Sequence, residues 1–284
     1  MKIYHVKAFC NQDKGGNPAG VVLNADWITE QDMQNLAKVV NYSETAFVMT
    51  SEKADFRVRF FTPVSEVDLC GHATVAAFHV LFQEGFIQAG SYKQETLAGI
   101  LGIEVSADGR IFLEQPLPTY YDILDSDLIA ESLNISADQI VSPVQVVSTG
   151  FKDAIIQVKD NKVLQTMIPD QKKIKKLCQD HGFGGYHVFC QQVGDYKARC
   201  RNFAPLYDIP EEAATGTASG ALTAYMTKYM KKDLADGPYL WIYEQGLEMN
   251  QHSKIQVLFE IEDKALSTLW VGGFGKTFPG KIED

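Results

Sequence analysis

The chain has 284 residues, 45% hydrophobic and 22% charged, an ordinary globular composition that argues against disorder and collagen-like structure. Its formal net charge of −10 argues against non-specific binding to nucleic acid or anionic membrane, since both need a basic footprint. The apolar run Ala73–Leu81 falls far short of the roughly 18 residues that span a bilayer.

In chain order, Ile3–Phe9 reads as a strand, Gly15–Gly20 (GGNPAG) as a turn and Gly20–Leu23 as the returning strand. The spacing of Met33, Leu36, Ala37 and Val40 predicts a helix over Trp27–Val40, with Thr29 at the cap and Asn41 as the stop. Thr45–Thr50 and Asp55–Phe61 read as strands and Thr74–Phe82 as an apolar helix. Short strands follow at Gly90–Glu95, Leu101–Ser106 and Arg110–Gln115. Pro116 and Pro118 frame a boundary, giving lobes over 1–117 and 118–284, with the C-terminal end a candidate to pack back on the first lobe. The second lobe opens with a helix at Ser126–Leu133 and strands at Val144–Ser148 and Ala154–Val158. The helix predicted over Asp170–His181 carries Lys172, Lys173, Lys175 and Lys176, read as a solvated face. Strands at Tyr186–Gln191 and Tyr196–Phe203 precede a second apolar helix over Thr217–Met230. Three more follow, at Leu240–Gln245, Ile255–Ile261 and Ser267–Gly273. Many short strands with one conspicuous apolar helix per half do not fit a doubly wound fold. They suggest barrels or curved sheets of mixed class, each wrapped on a buried helix.

The five cysteines are odd in number and none are spaced CxxC, which argues against a disulfide framework or zinc knuckle. The opening MKIYHVKAFCNQ has no continuous apolar core, so no signal peptide is expected and a reducing cytoplasm is the simplest setting. The six histidines form no HExxH or other tight ligand pattern, and no metal site is expected.

Two segments share one grammar of strand, x-Pro turn, acidic loop, glycine, small residues and apolar helix. The first runs Arg59-Phe60-Phe61-Thr62-Pro63, then Glu66, Asp68 and Cys70-Gly71-His72-Ala73-Thr74. The second runs Arg201-Asn202-Phe203-Ala204-Pro205, then Asp208, Glu211, Glu212 and Thr215-Gly216-Thr217-Ala218-Ser219. Phe203 follows Phe61 by 142 residues, as Pro205 follows Pro63, while Gly216 follows Gly71 by 145. A helix opening on Gly and small residues offers unpaired N–H groups and partial positive charge to a carboxylate or phosphate. A plain strand-to-helix turn would explain one such unit; two in matching order favour a ligand-facing pair.

Glu44 is the one acid in the partly apolar run Asn41–Val48. Desolvation there would raise its pKa into the range useful for proton transfer, but on this residue alone a capping or ion-pairing role at a strand edge is the stronger reading. His72 opens the first apolar helix, where it would donate to a ligand, act as an acid, or simply bond to backbone. Cys70, at that helix start, has no cysteine counterpart in the second unit, which disfavours a two-thiol racemase and suits a buried, inert thiol. Adjacent Glu211 and Glu212 would ordinarily be solvated loop acids.

The segments YSETAFV, RFFTPVSEVDLCGHATVAA, RNFAP…EEAATGTASGA and the opening AF…GGNPAGVV resemble the signature segments of the phenazine-biosynthesis PhzF-like proteins, in order and over nearly the whole chain. The resemblance implies the diaminopimelate-epimerase fold: two pseudo-symmetric α+β lobes, each a barrel-like, mostly antiparallel sheet around a central helix. It implies a homodimer without metal or organic cofactor, acting on a small carboxylated molecule in the cytoplasm, with no nucleic acid or membrane partner. The family's best-known member isomerises trans-2,3-dihydro-3-hydroxyanthranilate by moving a proton with a glutamate. The resemblance puts Glu44 in that role, and Ser43, Gly71, His72, Glu212, Gly216 and Thr217 around the substrate. The second motif departs from the family's usual EDPATGSA: Glu212 stands for Asp, Ala213 for Pro and Thr217 for Ser, and the extra methylene pushes the carboxylate about 1.5 Å further out. The expected function is therefore a cofactor-independent isomerase of unspecified substrate. An amino-acid racemase or epimerase of the same fold, or a non-catalytic ligand-binding protein, are the alternatives.

Overall fold

The computed structural model describes residues 2–12, 14–192, 194–230 and 234–279. It is a mixed α+β protein of two compact units, Met1–Glu114 with Gly272–Asp284, and Gln115–Val271.

The first unit holds β1 (Tyr4–Cys10), β2 (Asn17–Val22), α1 (Glu30–Val40), β3 (Glu44–Met49), β4 (Phe56–Phe61), β5 (Glu66–Val67), α2 (Gly71–Gln83), β6 (Gly90–Thr96), β7 (Gly99–Val105) and β8 (Arg110–Glu114). Most neighbours are antiparallel; β2–β3 and β4–β6 are parallel. The strands wrap on α2, which packs against β1, β2, β3 and β8 and buries Val75, Ala76, Ala77, Phe78 and Val80. Such all-round burial is what a helix without a polar stripe requires. A smaller cluster of Val22, Met33, Ala37, Phe47 and Phe61 seats α1.

The second unit holds β9 (Thr119–Leu124), α3 (Ser126–Leu133), β10 (Val144–Ser148), β11 (Lys152–Gln157), α4 (Asn161–Thr166), α5 (Gln171–His181), β12 (Gly185–Gln191), β13 (Ala198–Ala204), β14 (Ile209–Glu212), α6 (Gly216–Tyr229), β15 (Gly237–Gln245), β16 (Ser253–Glu262) and most of β17 (Ala265–Thr277). Here α6 is the central helix, packed on β10, β11 and β16. On the other face, α3, α4 and α5 close over Ala154, Ile156, Tyr186, Val188 and Phe203.

Several elements differ from the sequence reading. The turn after β1 is shorter than predicted, because Asn17 and Pro18 already pair with β1 and Asn17 is buried. The first helix begins at Glu30, where Thr29 caps Asp32 N at 3.2 Å; Trp27 sits in a 3-10 turn, 71% exposed. Helix α2 starts three residues earlier than predicted, on Gly71 itself. Strand β9 occupies the expected boundary stretch, and α4, β5 and β14 are additional. The α5 lysines are solvated, as predicted, and three of them pair with Glu131, Asp208 and Asp180.

Candidate active site

In the first unit, Glu44 is the first residue of β3 and His72 the second of α2. The two side chains are 16% and 6% exposed, and Glu44 Oε2 lies 3.2 Å from His72 Nε2. On the other side of the ring, Asn17 Nδ2 lies 3.4 Å and Cys70 Sγ 3.3 Å from Nδ1. A side-chain amide nitrogen can only donate, so Nδ1 accepts and the ring proton sits on Nε2. Burial pushes the His72 pKa down to about 4, against the pull of the Pro18 carbonyl, so the ring is neutral near pH 7. The neutral ring therefore brings no positive charge to the neighbouring Glu44 carboxyl.

Glu44, Cys70 and His72 also offer three metal-ligand atoms within 4.8 Å of one another. Their arrangement is poor for one ion, however. Glu44 lies on Nε2, while Cys70 is nearer Nδ1 (3.3 Å) than Nε2 (4.0 Å). An ion on Nε2 points away from Nδ1, so the three cannot ligate it together in this ring pose. Ser43 is exposed in the bend before Glu44, and Gly71 begins α2. Cys70 is the residue that precedes the helix and provides no side-chain cap.

The second unit repeats the frame. Gly216 begins α6, again without a side-chain cap from the preceding Thr215. The Thr215 hydroxyl donates to Glu212 Oε2. Gln245 holds this loop together: its Nε2 donates to Glu212 O at 2.7 Å and to Thr215 Oγ1 at 3.1 Å, and its Oε1 accepts from Thr215 N at 3.2 Å. Neighbouring Gly246 (φ +82°) leaves room for this approach, since a Cβ there would meet Ala213 O at 2.6 Å. Thr217 is half-buried, and its carbonyl accepts from Thr149 Oγ1 at 3.1 Å.

The adjacent acids Glu211 and Glu212 have separate tasks. Glu211 is no solvated loop acid; it receives a two-pronged pair from Arg201 at 2.9 and 2.8 Å. The structure thus brings Glu44 and His72 together in one unit, with Glu212, Gly216 and Thr217 along one loop and helix start in the other. Sequence reasoning missed Asn17 and Gln245. Asn17 lay inside an apparent turn, and Gln245 reaches the loop only through the pairing of β13 with β15.

Two α+β units, each a mostly antiparallel sheet around a central helix whose glycine start lies beside an acid, define a diaminopimelate-epimerase-like protein. The family model for phenazine biosynthesis-like proteins (PhzC-PhzF) matches residues 6–278, and the chain belongs to that family. It is 36% identical to the uncharacterized isomerase YfhB of Bacillus subtilis, over 90% of this chain and 89% of the relative. It is 26% identical to the trans-2,3-dihydro-3-hydroxyanthranilate isomerase of Pseudomonas aeruginosa, over 96% of this chain and 95% of that enzyme. The crystal structure of a PhzF-family phenazine biosynthesis protein from Bacillus anthracis superposes with a TM-score of 0.90 at 32% identity, covering 98% of each chain.

Proposed function

We propose that this protein is a cofactor-independent isomerase that moves a proton on a small carboxylated metabolite, with Glu44 as the acid/base. The observation that carries the reading is the contact between Glu44 Oε2 and His72 Nε2, buried and 3.2 Å long. A neutral imidazole at this distance puts no fixed counter-charge beside the Glu44 carboxylate, which would accept a proton from carbon. After transfer, the same group returns the proton to a second carbon. In the first unit the N–H groups at the start of α2, beside Ser43 and Gly71, suit a substrate carboxylate; in the second, those at the start of α6, with Glu212, Gly216 and Thr217, offer the same chemistry. The similarity to an enzyme named for trans-2,3-dihydro-3-hydroxyanthranilate isomerisation supports the reaction class. The Glu212, Ala213 and Thr217 departures favour a different acid as substrate. We take the working form to be a cytoplasmic homodimer, which light scattering on the purified protein tests.

The deciding experiment incubates the protein in D₂O with trans-2,3-dihydro-3-hydroxyanthranilate and a panel of amino and hydroxy acids. Deuterium gained at carbon in one of them, lost in Glu44→Gln, supports the proposal. Full exchange by that variant rules it out.

A further inference from the structure

Two consecutive residues of β2 hold the two sides of the His72 ring. The Asn17 side-chain amide lies 3.4 Å from Nδ1, and Asn17 is only 3% exposed. Pro18 bonds to the ring through its carbonyl, since proline has no N–H to offer. That bond needs a ring N–H as donor. Nδ1 does not supply it, because the amide nitrogen beside Nδ1 can only donate. The Cys70 thiol, 3.3 Å from the same Nδ1, is a second and weaker donor to it. The proton therefore sits on Nε2. The opposite tautomer would turn a bare Nε2 toward two oxygens, the Pro18 carbonyl and Glu44 Oε2 at 3.2 Å.

The backbone leading to Asn17 is fixed as tightly as the ring. Buried Phe9 has φ +63°, an uncommon conformation for an aromatic residue, where the register of β1 on β17 slips between Ala8 and Cys10. Asn11 and Lys14 then close the tip through two backbone bonds of 3.0 and 3.1 Å. Gly16 (φ +86°) turns the chain back; a Cβ there would meet Ala8 O at 2.8 Å. The return sets Asn17 opposite Ala8 and Pro18 opposite Lys7. Helix α2 packs on β2, so the buried Asn17 side chain reaches the second residue of that helix. Backbone held in a sparsely populated conformation persists where its surroundings over-determine it, and it clusters at sites whose geometry matters.

We propose that Asn17 is a positioning residue: with the Pro18 carbonyl it locks His72 in the Nε2-protonated tautomer, so that Glu44 alone exchanges a proton with the substrate. Both nitrogens of the locked ring are engaged, one as acceptor and one as donor. His72 cannot take a proton at Nδ1 without breaking the Asn17 contact, nor give one up from Nε2 without losing Pro18. Burial, which pushes its pKa down to about 4, acts in the same direction by keeping a second proton off the ring. Only the assignment of the exchange to Glu44 rests on the function proposed above; the lock itself does not.

The test is nitrogen NMR at pH 7 on protein labelled with ¹⁵N-histidine, which needs no substrate. The His72 signals, identified by their loss in His72→Gln, should show Nε2 protonated and Nδ1 bare. Asn17→Asp keeps the size of the side chain and replaces the donor by an acceptor, so Nδ1 should gain a proton. Should that variant fail to fold, Asn17→Ala serves in its place: the bare Nδ1 signal should shift toward that of a nitrogen accepting no hydrogen bond. A protonated Nδ1 in the wild-type protein, a mixture of both tautomers there, or an Nδ1 signal that neither substitution moves overturns the lock. None of these results depends on the D₂O exchange assay. Full exchange by Glu44→Gln with the wild-type tautomer as expected removes the proposed reaction and leaves the lock standing.

Discussion

The two units share a frame and place their acids differently within it. In the first, Arg59 forks onto Glu66 at 2.7 Å through both contacts and lies 5.1 Å from the Phe61 ring. In the second, Arg201 forks onto Glu211 and lies 5.0 Å from Phe203. Thr74 Oγ1 bonds back to Cys70 O at 2.8 Å, and Ser219 Oγ to Thr215 O at 2.9 Å. Register makes the comparison residue by residue. Phe61 pairs with Thr45 and Phe203 with Tyr186, so Glu44 corresponds to Gly185. Ala19 pairs with Glu44 and Asp153 with Gly185, so Asp153 takes the place of Ala19. The buried acid has moved one strand over, and His72 is replaced by Thr217. Backbone frame and helix start are what the duplication keeps; the buried acid stands on a different strand in each unit.

The largest expected effect falls on the unit with the ordered carboxylate. Glu44→Gln should lower deuterium exchange by about 10²–10⁴-fold with an unchanged circular dichroism spectrum. A smaller loss would mean that proton transfer does not depend on the first unit's acid. Next comes the reason that no acid stands at Gly185. A Cβ there would meet Phe203 O at 2.5 Å, a backbone atom that cannot turn aside. Gly185→Ala should cost about 1–3 kcal/mol in urea unfolding. A neutral result would leave the displacement of the acid without its steric cause.

The third prediction separates the units by pH. His72 titrates near 4 in the folded protein against 6.5 for the free side chain, so its contribution to stability is full above 6.5 and is lost as pH falls to 4. Asp153 works in the opposite sense. Its folded pKa is raised above 3.8, so its contribution is full below 3.8 and is lost as pH rises toward the folded value. Above pH 6.5 the His72 contribution is constant. Because the His72 contribution is common to wild type and variant, Asp153→Asn should remove from the profile a decline in stability that begins as pH rises above 3.8, of at most about 1.4 kcal/mol per pH unit. Parallel urea stability profiles for wild type and variant between pH 4 and 8 would show that burial does not raise the Asp153 pKa.

Much of this was legible in the sequence. The repeated Arg-x-Phe-x-Pro strand, the glycine helix starts and the isolated Glu44 rest on local patterns of residue type. Strand β9 was hidden because five of its six residues are exposed, leaving no alternation to read; β5, with two residues, is too short for any period. Asp153 lies one residue before the predicted strand Ala154–Val158, and His187 lies inside the predicted strand Tyr186–Gln191. Their meeting on one face depends on the parallel register of β11 and β12, which are joined through two helices. Parallel register is set by tertiary packing, and no local spacing encodes it.

The smallest prediction tests how alike the two frames are. Replacing either arginine by lysine loses the fork, because an ammonium cannot match both carboxylate oxygens in one plane. The surroundings are unequal. The other acidic partner of Arg59 is Glu30, 72% exposed, a contact largely screened by water. Arg201 is 7% exposed and also donates to Leu164 O at 3.0 Å and Met167 O at 3.4 Å, tying α4 to the sheet. Lysine at 201 strands buried carbonyls as well as a carboxylate, and each unsatisfied group costs about 1–3 kcal/mol. Arg201→Lys should therefore lower the urea midpoint further than Arg59→Lys. Equal losses would show that the fork alone sets the strength of both frames and that the α4 carbonyls contribute nothing to it.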